Sequence, residues 1–140
     1  MRITRYKLIL PAIICFILLS TGCSANGEVK GNLNEELTLR IGQTMRISEE
    51  NLTIEFLEVM EDSRCPKNVN CVWAGRAVVR VRITYSGPAQ ELLLTQPGLT
   101  DEYSKEDFQR YQLSYCVQPY PEQGRKIPEN QYRLLLVVSK

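Results

Sequence analysis

The sequence predicts an all-β domain over residues 37–140, an antiparallel β-sandwich of the Ig-like or a related type. About seven strands and at most one short helix are expected. Three observations predict this class. Apolar and polar residues alternate with period two in short runs, as in half-buried strands. Clusters rich in Gly and Pro separate these runs. Only one segment carries a helix signal, so a helical or mixed fold is disfavoured.

The strands follow one another with little helix between them. The predicted strands cover 37–41, 45–47, 51–60, 77–85, 91–95, 110–118 and 131–139. The 51–60 run changes parity after Phe56, which indicates a bulge or burial on both faces. The last run is apolar on both parities through Leu134–Val138, as expected for a central strand covered on both sides. The helix signal is a possible capping box formed by Ser104 and Asp107, which predicts one helical turn.

The first 22 residues have the pattern of a secretory signal peptide. Met1–Lys7 carries three positive charges, and Leu8–Leu19 is a 12-residue apolar run that only Pro11 interrupts. Twelve residues rise about 18 Å in a helix, whereas a bilayer core is about 30 Å thick. A permanent membrane span is therefore not expected.

Leu19-Ser20-Thr21-Gly22-Cys23 resembles the lipobox of bacterial lipoproteins, although its Leu lies one position early. The resemblance implies cleavage before Cys23 and a diacylglycerol on its thiol, which would attach the protein to a membrane. Secretion with Cys23 as a free N-terminal thiol is the alternative. Residues 24–36 are polar and aperiodic, so we expect a flexible tether with a reach of about 20 Å.

The expected location is the cell envelope. The residue after the anchor is Ser24. In enteric bacteria, a lipoprotein without Asp at this position resembles those that are sorted to the outer membrane. This implies the periplasmic face of an outer membrane, or the outer face of the plasma membrane in an organism without one.

Three cysteines remain beyond the anchor. Five residues separate Cys65 from Cys71, a span within which a turn can bring two Cα atoms to disulfide distance. Export places them in an oxidising compartment, so we expect a structural disulfide worth roughly 2–2.5 kcal/mol. Redox catalysis and metal binding are the weaker alternatives. Cys116 lies in an apolar strand and is expected to be free and buried, with pairing to either other cysteine as the competitor.

A candidate binding surface follows the second cysteine. Trp73 is either an aromatic anchor for a partner or, as we favour, a cover for the disulfide that closes the core. Gly75 is expected to allow close approach or a positive φ beside that ring. Arg76, Arg80 and Arg82 share one strand face, which is either an anion-binding stripe or, as favoured, a set of ion pairs with Glu55 or Glu58.

The stretch Arg64-Cys65-Pro66, followed after a few residues by Cys71-Val72-Trp73-Ala74-Gly75, resembles a family of small bacterial secreted proteins and lipoproteins. The looser similarity spans residues 37–140 and includes Tyr111-Gln-Leu113, Pro119-Tyr-Pro121 and Gln131-Tyr132-Arg133. The resemblance implies a β-sandwich-like domain. It implies no particular activity.

Composition argues against several functions. The chain lacks histidine, the commonest general acid–base and metal ligand. Without the leader it carries 14 basic and 16 acidic side chains, so nucleic acid is not an expected partner. Ser63 lacks a triad, and the Asp101–Asp107 cluster lacks calcium-loop spacing, so no catalytic residue, metal or cofactor is expected.

The sequence therefore predicts a non-enzymatic, lipid-anchored binding module of the cell envelope with a protein or glycan partner. The alternative is an anchored inhibitor of a hydrolase, either a protease or a lysozyme. That inhibitor would present the loop Pro119–Pro128.

Overall fold

Two β-sheets pack face to face in the computed structural model, which describes residues 27–140. The predicted all-β sandwich is confirmed, with nine strands in the described part of the chain. The strands are β1 (Glu28–Lys30), β2 (Glu36–Arg40), β3 (Thr44–Ile47), β4 (Leu52–Asp62), β5 (Arg76–Tyr85), β6 (Gln90–Pro97), β7 (Ser104–Phe108), β8 (Tyr111–Gln118) and β9 (Arg133–Ser139). Two short 3₁₀ segments, Ser48–Glu50 and Glu129–Gln131, lie between them.

The first sheet has the strand order β1-β3-β4-β5-β6 and the second the order β2-β9-β8-β7. The named strands pair antiparallel except β1 and β3, which run parallel from Glu28 opposite Thr44 to Lys30 opposite Arg46. The long strands β4 and β5 form the centre of the first sheet, and β8 and β9 that of the second.

The core fills the space between the sheets, and the period-two pattern decides which side chains enter it. On β5, Ala77, Val79, Val81 and Ile83 are all buried. The inward face of β9 is equally buried, and its central position is confirmed. The expectation that β9 is covered on both sides is met only in part, because its outward residues are half-buried.

The parity change in β4 corresponds to two irregularities in its pairing with β5, between Phe56 and Glu58 and between Val59 and Glu61. The predicted bulge is therefore confirmed. The first irregularity keeps an apolar side chain inward, Val59 opposite Val79, and the second turns Asp62 to the inward side opposite Ala77.

Two predicted elements differ from the structure. The helical turn at Ser104–Asp107 was a wrong prediction, because this segment is the edge strand β7, paired with β8 from Ser104 opposite Tyr115. Its polar residues do not favour a strand locally, but an edge strand needs only one neighbour and can keep its charges in water.

The described part of the predicted tether is also structured. It contains β1, and Val29 and Leu33 pack against the core. The backbone N–H of Asn34 donates to the carbonyl of Val138 at 2.8 Å, which fixes the turn between β1 and β2. The predicted signal peptide (1–22), Cys23 and the first tether residues lie outside the described residues.

Within residues 27–140, neither 3₁₀ segment has the length and apolar character needed to cross a bilayer.

Candidate interaction surface at the loop end

Three connections meet at one end of the sandwich, which we call the loop end: residues 63–75 between β4 and β5, 98–103 between β6 and β7, and 119–132 between β8 and β9. Backbone hydrogen bonds join them. Gly98 N–H donates to the Gly75 carbonyl at 2.9 Å, and Lys67 N–H to the Pro121 carbonyl at 3.0 Å. The loop end is therefore one bonded unit.

Tyr120 ties all three connections together. Its hydroxyl donates to the carbonyl of Cys65 at 3.0 Å and accepts from the backbone N–H of Leu99 at 2.9 Å. The cationic groups of Arg64 and Lys67 lie 5.0 and 5.6 Å from the centre of its ring, within the range of cation–π attraction. The sequence marked Tyr120 only as part of the Pro119-Tyr-Pro121 stretch of the family resemblance.

The disulfide between Cys65 and Cys71 is present, so this prediction is confirmed. Cys116 is free and buried, also as predicted, which excludes the alternative pairings. Gly75 has φ +68°, and an added Cβ would lie 1.8 Å from the carbonyl oxygen of Ser63. Both of the reasons predicted for a glycine at this position therefore apply.

A buried ion pair supports the loop end from below. Arg64 is 3% exposed, and its Nε and Nη2 donate to the two carboxylate oxygens of Asp62 at 2.8 Å each. Its remaining donors reach the carbonyls of Val117 at 2.7 Å and Pro119 at 3.0 Å. The arginine thus joins the end of β4 to the end of β8, across the two sheets.

Tyr132 completes this network by donating from its hydroxyl to Asp62 at 3.0 Å. Burial, and then the charge of Asp62, raises the pKa of Tyr132 to about 12. The sequence marked Arg64 only as part of the Arg64-Cys65-Pro66 stretch of the family resemblance. No local signal marked its side chain as buried, because its acceptors come from residues far along the chain.

A second buried polar group links the sheets nearby. Gln96 on β6 accepts from the backbone N–H of Val117 at 2.7 Å and donates to the carbonyl of Glu102 at 3.3 Å. Its amide therefore bonds one backbone group of β8 in the second sheet and one of the 98–103 connection at the base of the loop end.

Trp73 does not cover the disulfide or close the core, so that favoured interpretation was wrong. Its side chain is 82% exposed, and the preceding Val72 is 90% exposed. Leu99, on the connection bonded to Gly75, is 67% exposed. The sequence could not show that Trp73 is exposed, because side chains of distant strands fill the core. The residues around Trp73 carry no sign of that filling.

The arginine face is neutralised by glutamates, as the favoured alternative predicted. Arg76 pairs with Glu61 at 3.1 Å and Arg82 with Glu55 at 3.0 Å. Arg80 pairs with Glu58, and Glu91 lies within salt-bridge distance of both Arg80 and Arg82. Four carboxylates therefore face three guanidinium groups, and an anion-binding stripe is not supported.

Ser63 lies in this polar edge as a structural residue. Its hydroxyl donates to Glu61 at 2.7 Å and accepts from the backbone N–H of Arg76 at 3.2 Å. The serine and then Arg76 lower the pKa of Glu61 below its usual value. Both partners hold the hydroxyl in a turn that leads into the disulfide.

Three concavities lie beside the loop end, and two of them border β4 or the disulfide loop. An open groove of about 950 Å³ separates the end of β4 from the 119–132 connection, with Met60, Arg64, Ile127 and Tyr132 among its lining residues. A smaller depression of about 230 Å³ lies between the disulfide loop and Leu99. Over residues 27–140, no three His, Cys, Asp or Glu side chains group in a way that could hold a metal ion.

The fold and the loop end together define an all-β sandwich domain whose connecting loops are held by hydrogen bonds and a disulfide and expose apolar side chains. No family model, no curated protein and no solved structure matches the chain. The family resemblance carried by the cysteine loop therefore stays a prediction.

Proposed function

We propose that this chain is a lipid-anchored, non-enzymatic module of the bacterial cell envelope that binds another envelope molecule through its loop end. The observation that carries the proposal is the exposure of Val72 and Trp73 on a connection held by a disulfide and by hydrogen bonds to its neighbours. Large apolar side chains on a fixed loop lose little conformational freedom when a partner covers them.

The free energy available from this surface is substantial. A tryptophan buries about 150–250 Å², which at about 25 cal/mol per Å² corresponds to roughly 4–6 kcal/mol on full burial. Val72 and Leu99 add to this area on the same unit. The candidate binding surface is thus Trp73 together with Val72 and Leu99 of the loop end, and the arginine face of β5 is not part of it.

The anchor is proposed from the sequence alone. The lipobox-like segment before Cys23 supports acylation of that thiol, and the short apolar leader supports export. A diacylglyceryl group on Cys23 in the mass spectrum of the mature protein is the expected result. An unmodified N-terminus would overturn the anchored form of the proposal.

Photo-crosslinking tests the binding surface directly. A benzophenone amino acid is placed at position 73 in the full chain, and cells are irradiated intact. The matched control carries the same amino acid at Leu93, which is also apolar and about half exposed but lies on the outer face of the first sheet. Adducts at position 73 that exceed those at position 93 support the proposal. Equal labelling at both positions would refute it.

A second candidate function, inhibition of an envelope or host hydrolase, is favoured by one observation. Residues 122–126 are all exposed, while Arg64 and Lys67 donate to the carbonyls of Pro119 and Pro121 at the base of the same connection. A loop whose ends are held in place while residues 122–126 are exposed is suited to enter the active-site cleft of a hydrolase. We expect the protein to inhibit a protease or a lysozyme. This inhibition should disappear when residues 122–126 are replaced by glycine and serine. A broad panel without inhibition would remove this candidate.

A further inference from the structure

The direction of β1 sets which end of the domain is nearest to the proposed anchor. Glu28 opens β1 beside Thr44, which in turn pairs with Glu55 of β4. From that row β1 runs away from the loop end, whereas β4 runs toward it. The N-terminal end of β1, at Glu28, is therefore the end of that strand that points toward the loop end.

The connection between anchor and domain is short. Five residue steps separate Cys23 from Glu28, so this segment spans at most about 17 Å. Along β5, the partners of Glu55 and Asp62 are Arg82 and Ala77, which places the end of the sheet about 17 Å beyond the row of Glu28. A tether of this length, extended along the line of β1, brings the anchor level with the loop end, whereas a shorter path brings the anchor close to the edge formed by β1.

These two surfaces differ in polarity. The β1 edge presents Glu28, paired with Arg46 at 2.9 Å, and Lys30. The loop end presents Val72, Trp73 and Leu99, which are at least two-thirds exposed. Lipid contact through the loop end removes apolar surface from water, whereas contact through the β1 edge would desolvate an ion pair.

The charges of the loop end are balanced. Lys67 lies 3.9 Å from Asp101, and Arg125 lies 3.4 Å from Glu122. Attraction to this surface is therefore apolar rather than electrostatic. An indole ring, with an apolar body and one N–H donor, suits the headgroup region of a bilayer.

We propose that the loop end inserts Val72, Trp73 and Leu99 into the headgroup region of the membrane that holds the acylated Cys23. The anchor and the apolar loops then act as two attachments, and the domain stands with its loop end on the lipid surface. This inference deepens the proposed function, because it names a lipid surface as the molecule that the loop end binds.

Trp73 is itself the reporter, since the full precursor contains a single tryptophan. The acylated mature protein is reconstituted into phosphatidylcholine vesicles, with or without acyl chains brominated near the headgroup. We expect emission at a shorter wavelength than that of water-exposed tryptophan, and strong quenching by the brominated lipid. Both effects should persist in 0.5 M salt, where the Debye length is about 4 Å, because the contact is apolar.

The variant Val72→Ser/Leu99→Ser should reduce the quenching at least twofold. The matched variant Leu93→Ser, on the outer face of the sheet, should leave it unchanged. Near-ultraviolet circular dichroism checks that both remain folded. Emission of a water-exposed ring without quenching in the wild-type protein would overturn the proposal.

Failure of this inference can be told apart from failure of the proposed function. Protein adducts from the crosslinker at position 73, together with an unquenched Trp73 in vesicles, would leave the binding module in place and replace the lipid by a protein. Equal crosslinking at positions 73 and 93 would instead remove the loop end as a binding surface.

Discussion

Replacing Arg64 by methionine should destabilise the domain far more than the same replacement of Arg76. Methionine keeps much of the length and apolar volume of the side chain but removes the charge and every donor. In the folded state this leaves the carboxylate of Asp62 and the carbonyls of Val117 and Pro119 without their Arg64 donors.

The magnitude follows from burial. Both side chains of the Arg64–Asp62 pair are nearly inaccessible, and loss of one partner of such a pair costs about 3–5 kcal/mol. Arg76 pairs with Glu61 in a largely exposed position, where an ion pair is worth about 0–1 kcal/mol. Four kcal/mol lowers the folding equilibrium constant by about three powers of ten, a large part of a total stability of about 5–15 kcal/mol.

Urea unfolding of the two single variants, Arg64→Met and Arg76→Met, measures the difference in their free energies of unfolding. The comparison requires that the dependence of this free energy on urea concentration is the same in both. The double variant Asp62→Leu/Arg64→Met should recover part of the loss, because no unpaired buried charge remains. Equal stability of the two single variants, within about 1 kcal/mol, would refute the assignment of the buried pair as the support of the loop end.

Three further predictions concern stability. Gly75→Ala should lower the free energy of unfolding by about 3 kcal/mol or more, because the added Cβ meets a carbonyl at a residue with positive φ. Gly124→Ala, at a similar φ but with open space around it, should lower it by about 1 kcal/mol. Similar losses in the two variants would contradict this reasoning. The double variant Cys65→Ala/Cys71→Ala should lose about 2–2.5 kcal/mol and, unlike the wild type, should not respond to a reducing agent in urea unfolding. The raised pKa of Tyr132 predicts stabilisation that is full below pH 10 and is lost as the pH rises toward about 12, since the folded state holds the proton more tightly. A Tyr132→Phe variant should show a smaller decline over the same interval, and an equal decline would rule out this residue as its cause.

The strands that alternate most clearly were predictable because a single rule, burial of every second side chain, decides them. β5 shows this, since Ala77, Val79, Val81 and Ile83 are all buried as predicted, and only Val78 on the other face departs from the alternation by being buried too. β7 was missed because its sequence, rich in charge, offers a local capping signal, while its strand conformation comes from pairing with β8. β1 was missed for a similar reason, because three residues are too few to show a period.

The candidate site was only partly predictable. The disulfide followed from spacing and from the expectation of export, which are both properties of short segments. The exposure of Trp73 and the burial of Arg64 reversed what composition suggests, since aromatic rings are usually covered and guanidinium groups usually solvated. Both reversals depend on residues distant in sequence, namely the strands that fill the core without Trp73 and the carbonyls that receive the donors of Arg64.

The order of the strands also decides where two copies of this domain could wrongly join. An unpaired strand edge is a template for pairing with another chain, and short length or charge protects against it. Of the four edges in the described domain, β1 has three residues, and β2 and β7 have five each with charged side chains. The fourth edge, β6, has eight residues including Leu92-Leu93-Leu94. Aggregation of folded copies should therefore start at β6, and the substitution Leu93→Lys should suppress it.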